Sequence, residues 1–245
     1  LTGHPCRELA RDEIPVIVAL FADAACRIRA AGYDGVELHA AHGYMLLGSF
    51  LSPLRNRRSD EYSGRSEEGR VRLVAEVVRA IKAAAGADFP LVLRISGHER
   101  VPGGRPLGDT ARIAPRLAAA GVDAFHVSGG SVDRYVSQIV TGSQWPDAHN
   151  AALAAAVRRA VDVPVMVVGR IHDPALAEEI LRRGDADLVV MGRPLLADPE
   201  LPEKARAGRV REIRRCISCQ HCIDSMERMQ MSCAVNGRSG REAER

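Results

Sequence analysis

Apolar positions along the chain follow two alternating patterns. Five short segments carry near-continuous runs of Val, Leu and Ile, which is typical of parallel strands covered on both faces. These predicted strands are Asp34–His39, Pro90–Ser96, Val122–Ser128, Val163–Gly169 and Ala186–Met191. Between them, apolar residues recur every three or four positions and predict helices. The predicted helices are one from Asp12, which is expected to cap it, to a stop at Gly32, then Glu67–Ala85, Asp109–Ala120, Asp147–Val161, Asp173–Arg183 and Pro199–Ala207.

The strict alternation of strand and helix predicts right-handed βαβ units in one parallel sheet, either doubly wound or a (β/α)8 barrel. A near-constant unit length favours the barrel, as do the polar and glycine residues that follow the strands. Five strands cannot close an eight-stranded barrel, and the first predicted element is a helix. We therefore expect an α/β fold that is an incomplete TIM barrel, containing the last five strands, with three more preceding Leu1 in a longer parent protein.

Composition narrows the classes of partner. The chain has 34 Lys and Arg against 31 Asp and Glu, and a net charge of +3 gives no reason to expect a nucleic-acid partner. The longest apolar run, Ile14–Ala22, is far shorter than the roughly 20 residues that span a bilayer, so no membrane segment is expected. Four of the six cysteines are clustered near the end of the chain, which is not the distribution of a disulfide scaffold. We therefore expect a reducing compartment and a cytoplasmic location.

The first candidate site is formed by His39, His42 and Tyr44, at the carboxyl-terminal end of the first predicted strand. The carboxyl ends of barrel strands are where barrels keep their catalytic residues. Two imidazoles three residues apart can stabilise negative charge on one oxygen, and a nearby phenol can supply or withdraw a proton. A metal site at the two histidines, or rim residues satisfied by their neighbours, are the alternatives.

Arginines mark the second candidate site. Arg94 interrupts an apolar strand, and a buried guanidinium needs an acceptor, which is either a bound cofactor or a carboxylate from another strand. Gly169-Arg170 and Gly192-Arg193 end the last two predicted strands. Barrels commonly hold phosphate there, so the two pairs together predict a phosphate-bearing ligand.

The third candidate site is a run of cysteines. Cys216, Cys219 and Cys222 stand at successive two-residue gaps, and Cys233 follows after ten residues. Structural zinc usually shows two separated pairs, whereas three successive gaps of this kind are typical of iron–sulfur clusters. A cluster is therefore favoured over zinc, and free thiols are the third alternative.

Longer motifs carry a resemblance to a known family. They are Ala31-Gly-Tyr-Asp-Gly-Val-Glu-Leu-His-Ala-Ala-His-Gly-Tyr44, Phe50-Leu-Ser-Pro-Leu-Arg-Asn56, Val168-Gly-Arg-Ile171, Met191-Gly-Arg-Pro-Leu-Leu-Ala-Asp-Pro199 and the cysteine run. Over nearly its whole length the chain resembles the Old Yellow Enzyme-like flavin oxidoreductases, in the iron–sulfur branch of bacterial 2,4-dienoyl-CoA reductase and trimethylamine dehydrogenase. The resemblance implies an FMN-binding TIM barrel with a 4Fe-4S cluster after its last strand, and electrons that arrive through the cluster or from NAD(P)H.

The resemblance also implies a role for each candidate residue. His39 and His42 would hold the carbonyl oxygen of a substrate over the flavin, and Tyr44 would donate a proton. Arg94 would lie beside the pyrimidine edge of the flavin. The residues implied to hold the FMN phosphate are Gly169, Arg170, Gly192 and Arg193, and those implied to bind the cluster are Cys216, Cys219, Cys222 and Cys233.

We therefore expect two parts, residues 1–209 of an FMN-binding barrel and a cluster-binding segment over residues 210–245. The expected reaction is hydride transfer between a reduced flavin and an activated alkene, an enone or a dienoyl thioester, with amine oxidation as the alternative. From other classes, the alternatives are an iron–sulfur or zinc module that only relays electrons or docks partners, and a metal-dependent lyase or isomerase with His39 and His42 as ligands. The expected partners are a small-molecule substrate and either a downstream domain that binds FAD and NAD or a separate electron-transfer protein.

Overall fold

The sheet contains five parallel strands in the part of the chain that the computed structural model describes, residues 7–134, 138–226 and 229–241. The strands are β1 (Val36–Ala40), β2 (Leu91–Ser96), β3 (Ala124–Ser128), β4 (Val165–Val168) and β5 (Leu188–Val190). The helices of the described residues are α1 (Ile14–Ala30), α2 (Met45–Leu51), α3 (Glu67–Ala85), α4 (Leu107–Ala120), α5 (Ala151–Arg158), α6 (Pro174–Arg182), α7 (Arg193–Ala197), α8 (Leu201–Arg206) and α9 (His221–Met226).

The strands lie in the order in which they occur along the chain, from β1 to β5, and every neighbouring pair is parallel. A doubly wound sheet reverses its strand order at a switch point. No reversal occurs among the described strands, so the sheet follows the sequential order of a barrel and the doubly wound alternative is wrong.

The sequence predicted most elements to within a few residues. Helix α3 begins and ends where predicted. At its first turn the Ser66 hydroxyl accepts a hydrogen bond from the Gly69 amide, and Gly86, with a φ of 105°, follows its last residue. The prediction that Asp12 caps the first helix is wrong: a 3-10 turn over Arg11–Glu13 precedes α1, and no side chain caps the helix. Helices α2, α7 and α9 form in segments for which the sequence predicted no helix.

The two faces of the sheet have different environments. In β2, Leu91, Leu93 and Ile95 are fully buried in the core between sheet and helices. Since successive side chains in a strand point to opposite faces, Val92 and Arg94 lie on the other face. This second face carries the polar residues that form the site described below.

The segment with the four cysteines is fixed to the short helix α7. The Asp198 carboxylate, just after α7, accepts a hydrogen bond of 2.9 Å from the Arg214 amide, before the first cysteine. The Asn236 side-chain amide, after the last cysteine, donates a 2.8 Å bond to the Leu196 carbonyl. Both ends of the cysteine segment are therefore held by one helix. In the described residues, no helix is long and apolar enough to cross a membrane.

Candidate active site

A cavity of about 490 Å³ opens at the carboxyl ends of the strands and brings together the predicted catalytic and cofactor-binding residues. Each of these residues lines it: His39, His42, Tyr44, Arg94, Gly169, Arg170, Gly192 and Arg193. They come from loops and strands up to about 150 positions apart in sequence. The parallel sheet gathers them, because the carboxyl ends of all its strands meet at one edge.

The three predicted catalytic rings contact one another. The ring centroids of His39 and His42 are 5.3 Å apart, and those of His39 and Tyr44 are 5.4 Å apart, both edge to face. The rings of His42 and Tyr44 are nearly parallel, with centroids 6.1 Å apart. His42 reaches this position with a φ of 66°, a left-handed conformation that residues other than glycine adopt rarely. The end of β1 and the tight loop that follows it therefore present all three side chains to one cavity.

His42 is held on two sides. Its backbone amide donates to the Ser96 hydroxyl at 2.8 Å, and its Nε2 lies 3.0 Å from the Ser128 Oγ. Burial lowers the pKa of His42 to about 3, and the nearby positive charge of Arg94 acts in the same direction. The imidazole is therefore neutral near pH 7. Its Nδ1 is buried and has no hydrogen-bond partner among the described residues, and the same is true of the Nδ1 of His39.

Arg94 lies between two histidines, since it pairs in register with His39 of β1 and with His126 of β3. The Glu37 carboxylate of β1 lies 2.9 Å from the Nδ1 of His126. Burial lowers the pKa of Arg94, while the charge of Glu37 opposes that shift. The Nε of Arg94 is buried and finds no partner in the described ranges. The Glu37 carboxylate is thus engaged with His126, and the Nε of Arg94 remains available to a ligand.

The two Gly-Arg pairs differ in what they offer to a ligand. Arg170 is already engaged, because its guanidinium donates to the Asp147 carboxylate at 2.7 Å and to the Gly142 carbonyl at 3.0 Å. Arg193 differs, since its Nη1 is buried without a hydrogen-bond partner in the described structure. Both pairs line the cavity as predicted, but of the two only Arg193 leaves a terminal guanidinium nitrogen for an anion.

Glycine is required at one of these positions. Gly169 has a φ of 139°, which L side chains rarely adopt. A Cβ at this position would also lie 2.7 Å from the Asn150 side-chain nitrogen. The backbone of Gly169 can therefore lie this close to Asn150, at the edge of the cavity, only because it has no side chain.

The four predicted metal-binding cysteines line a second, smaller space of about 20 Å³. Cys222 is buried in α9, Cys219 is exposed, and Cys216 and Cys233 are half-buried. Burial raises the pKa of the Cys222 thiol, and the positive charge of Arg193 acts in the opposite direction. Among the residues described, no group of three or more His, Cys, Asp or Glu side chains lies close enough together to hold a single metal ion.

Sequence reasoning missed several residues of the site: Ser128 lines the cavity, and His126 lies behind it, bonded to the lining residue Glu37. His126 and Ser128 lie on β3, and their signal was the same as that of Arg94: polar residues within a strand that is otherwise apolar. Both are buried, at 3% exposure each, and both bond to residues of the site. His172 and Asn150 also line the cavity, but they lie in loops, where polar residues are ordinary and give no signal.

The cavity residues can bind an anionic or acceptor-rich ligand. Six buried nitrogens without partners among the described residues belong to lining side chains: His39 Nδ1, His42 Nδ1, Arg94 Nε, Arg170 Nε, His172 Nδ1 and Arg193 Nη1. Buried donors of this kind are costly unless a partner satisfies them. Three arginines and three histidines therefore fit a ligand that offers carbonyl and phosphate oxygens, as FMN does.

Comparison with known proteins gives consistent matches. The model of the NADH:flavin oxidoreductase / NADH oxidase family matches residues 1–212. An NADH oxidase of Thermoanaerobacter brockii is 44% identical over 243 residues, which cover 98% of this chain and 37% of that protein.

Solved structures of two oxidoreductases superpose on nearly the whole chain. A complex of 2-naphthoyl-CoA reductase with 2-naphthoyl-CoA superposes with a TM-score of 0.89 at 32% identity, over 97% of this chain and 36% of that one. Histamine dehydrogenase from Rhizobium sp. 4-9 superposes with a TM-score of 0.88 at 31% identity, over 98% of this chain and 35% of that one. The chain spans a little over a third of the length of each of these relatives.

Proposed function

The chain belongs to the NADH:flavin oxidoreductase / NADH oxidase family, and on that premise we propose that it is the FMN-binding and 4Fe-4S-binding part of an oxidoreductase that reduces an activated alkene, an enone or a dienoyl thioester. NAD(P)H is the proposed electron donor, directly or through the cluster. A downstream domain with FAD, or a separate electron-transfer protein, is the proposed partner. The proposed location is the cytoplasm.

The observation that carries this proposal is the convergence of His39, His42 and Tyr44 on one cavity with Arg94. Reduction of an enone places negative charge on the carbonyl oxygen and requires a proton at a carbon. Two neutral imidazole donors suit the first task and a phenol suits the second. An amine has no carbonyl oxygen, so the same donors have no evident acceptor in amine oxidation.

The flavin would supply hydride transfer through its N5, and the chain would supply the groups around the reacting substrate. His39 and His42 would bind the carbonyl oxygen and stabilise the enolate that develops there. Tyr44 would hold the proton that the α-carbon receives. Arg94 would satisfy the acceptors of the flavin pyrimidine edge with the Nε that now has no partner in the described residues.

The phosphate of the flavin would lie against the ends of β4 and β5. Gly169 offers backbone at close approach, and the guanidinium of Arg193 offers a charged donor. Arg170 would contribute by fixing Asp147 and the Gly142 carbonyl, since its own guanidinium is already bonded to them. Gly192 leaves open space before Arg193, because a Cβ at Gly192 would meet no atom within 4 Å in the described structure.

The four cysteines would bind the cluster. Four thiols around one space are the donor set of a 4Fe-4S cluster, and their spacing departs from the paired spacing of zinc sites. The cluster segment, residues 210–245, would follow a flavin-binding part over residues 1–209 that forms the last five strands of a (β/α)8 barrel. Residues 227–228 and 242–245 of this segment lie outside the described structure.

Oxidation of an amine is the second candidate. It is favoured by one observation, the TM-score of 0.88 with histamine dehydrogenase, which nearly equals that with the naphthoyl-CoA reductase. The two candidates differ in the direction of electron flow: an enone reoxidises the reduced flavin, whereas an amine reduces the oxidised flavin.

The proposal is tested by anaerobic purification of the complete gene product, followed by absorbance spectroscopy and assays for iron and acid-labile sulfide. Bound FMN and about four irons and four sulfides per chain are expected. NADH or NADPH should then bleach the flavin, and an α,β-unsaturated ketone should restore its absorbance. Iron without flavin would support an electron-relay or docking module, and a colourless protein would support a metal-dependent lyase or isomerase. Zinc without sulfide would contradict the cluster.

A further inference from the structure

Arg193 is the one residue, in the described part of the chain, that lines both the main cavity and the space enclosed by the four cysteines. It is the first residue of α7 and follows Gly192, beside which a Cβ would meet no atom within 4 Å in the described structure. Cys222 and Ile223 of α9 complete the partition, since Cys222 lines the smaller space and its neighbour Ile223 lines the larger one. The two sites are therefore separated by a single layer of side chains.

The guanidinium in this layer has unused capacity to bind an anion. Its Nη1 is buried, with no hydrogen-bond partner in the described ranges. Arg170, the equivalent arginine after β4, is instead paired with Asp147 at 2.7 Å. An unpaired guanidinium nitrogen in a buried position is costly, so a ligand at either of the two sites would stabilise it by supplying an acceptor.

The position of Arg193 relative to the cysteines is fixed by α7. Leu196 of α7 accepts from Asn236 beyond Cys233, and Asp198 accepts from the backbone amide of Arg214 before Cys216. Asp198 itself is fully buried and bonds to Lys204 at 2.8 Å. The helix that begins with Arg193 and the residue that follows it thus hold both ends of the cysteine segment. The backbone of Arg193 therefore has a fixed position relative to the four cysteines.

We propose that Arg193 is a positioning residue shared by the two sites: its charge raises the reduction potential of the cluster held by the four cysteines, and this effect weakens when a phosphate ligand in the main cavity neutralises the guanidinium. The inference rests on the proposed function. Charges and hydrogen bonds near the sulfurs are general determinants of cluster potential. Occupancy of the flavin phosphate site would therefore lower the potential of the cluster, which couples the two sites without any movement of the backbone.

The test is a redox titration of the cluster, monitored by electron paramagnetic resonance, in the complete gene product. Arg193→Gln removes the charge and Arg193→Lys keeps it. In FMN-depleted Arg193→Gln the ratio of reduced to oxidised cluster at a fixed potential should fall about tenfold relative to FMN-depleted wild type, equivalent to about 59 mV for a one-electron couple. Arg193→Lys should stay within about threefold of the wild type. The dissociation constant of FMN should rise about tenfold in Arg193→Gln.

Arg211→Gln is the matched control, because Arg211 is exposed in the same segment and lines neither space. It removes the same formal charge and should leave both the cluster potential and the FMN affinity unchanged. An equal shift in Arg211→Gln would show a general effect of net charge and would overturn the assignment to Arg193. An unchanged potential in Arg193→Gln, with normal iron content, would overturn it as well.

A second measurement needs no variant. Addition of FMN to FMN-depleted wild-type protein should lower the cluster potential, whereas an unchanged potential at saturating FMN would contradict the coupling. The unchanged result overturns the coupling even if Arg193→Gln fails to assemble a cluster. Wild-type protein that lacks iron and sulfide altogether would contradict the proposed function instead, so the two failures are distinguishable.

Discussion

The imidazole of His42 and the hydroxyl of Ser128 are joined across the sheet by a contact of 3.0 Å between Nε2 and Oγ. His42 follows β1 and Ser128 ends β3, so the contact crosses the end of β2. A neutral imidazole has one protonated nitrogen, and a hydroxyl that donates to Nε2 assigns the proton to Nδ1. When the Ser128 hydroxyl is the donor, it selects the tautomer in which the Nδ1, unpartnered among the described residues, can donate to a ligand oxygen.

Ser128→Ala tests this selection. Loss of one hydrogen bond of ordinary strength, about 1 kcal/mol, should weaken the binding of a phenolate, a stable mimic of an enolate oxygen, by about fivefold. The dissociation constant is read from the change in flavin absorbance on titration. Ser49→Ala is the control, since the Ser49 hydroxyl bonds only locally to the Leu46 carbonyl at 2.7 Å. Equal affinities in Ser128→Ala and the wild type would refute the role of Ser128.

Tyr44→Phe separates the two half-reactions. Reduction of the flavin by its donor needs no proton at an alkene, so this step should change by only a few fold. Reoxidation by an enone needs that proton, and its rate should fall by roughly 10²- to 10⁴-fold. Stopped-flow flavin absorbance measures both rates. His42→Ala is the comparison, because it should weaken enone binding as well as slow reoxidation, and equal slowing of both half-reactions by Tyr44→Phe would contradict its role as proton donor.

The low pKa of His42 predicts a pH dependence of stability. In the unfolded chain a histidine has a pKa of about 6.5, whereas burial lowers the pKa of His42 in the folded protein to about 3. The unfolded state therefore binds more protons between these values, and the free energy of unfolding decreases as the pH falls from about 6.5 toward 3. Replacement of His42 by Asn should reduce the slope of the free energy of unfolding against pH by the equivalent of up to one bound proton. Urea unfolding at a series of pH values measures it, and identical slopes in both proteins would exclude this assignment.

Asp198→Ala should destabilise the protein and loosen the cysteine segment. The carboxylate is fully buried against Lys204, whose side chain is 10% exposed, and loss of one partner of such a pair costs about 3–5 kcal/mol. Glu200→Ala is the matched control, because Glu200 contacts the same ammonium at 3.3 Å but is 74% exposed. It should change the free energy of unfolding by less than about 1 kcal/mol. Denaturant titrations compare the two variants, and similar losses would contradict the importance of burial.

The hydrophobic pattern by itself determined the alternation of strands and helices, because each element must bury an apolar face. It placed α3 with its bounds, since Ser66 provides a local cap and the helical period persists over five turns. It did not reveal α2, whose sequence Met45–Leu51 is apolar or small at every position and shows no helical period. Four buried residues of that helix pack against the sheet and α3, so tertiary contacts stabilise it rather than local sequence.

Candidate residues that stand at strand ends were likewise predictable, because parallel strands bring their carboxyl ends to one edge. What the sequence left open is the identity of each partner. The engagement of Glu37 with His126 and the contact of His42 with Ser128 join residues that are 89 and 86 positions apart. The place of Arg193 between two sites depends on the packing of α7 and α9. Strand register and helix packing set these distances, and neither has a local signature in the sequence, so only the tertiary structure decides which polar groups meet.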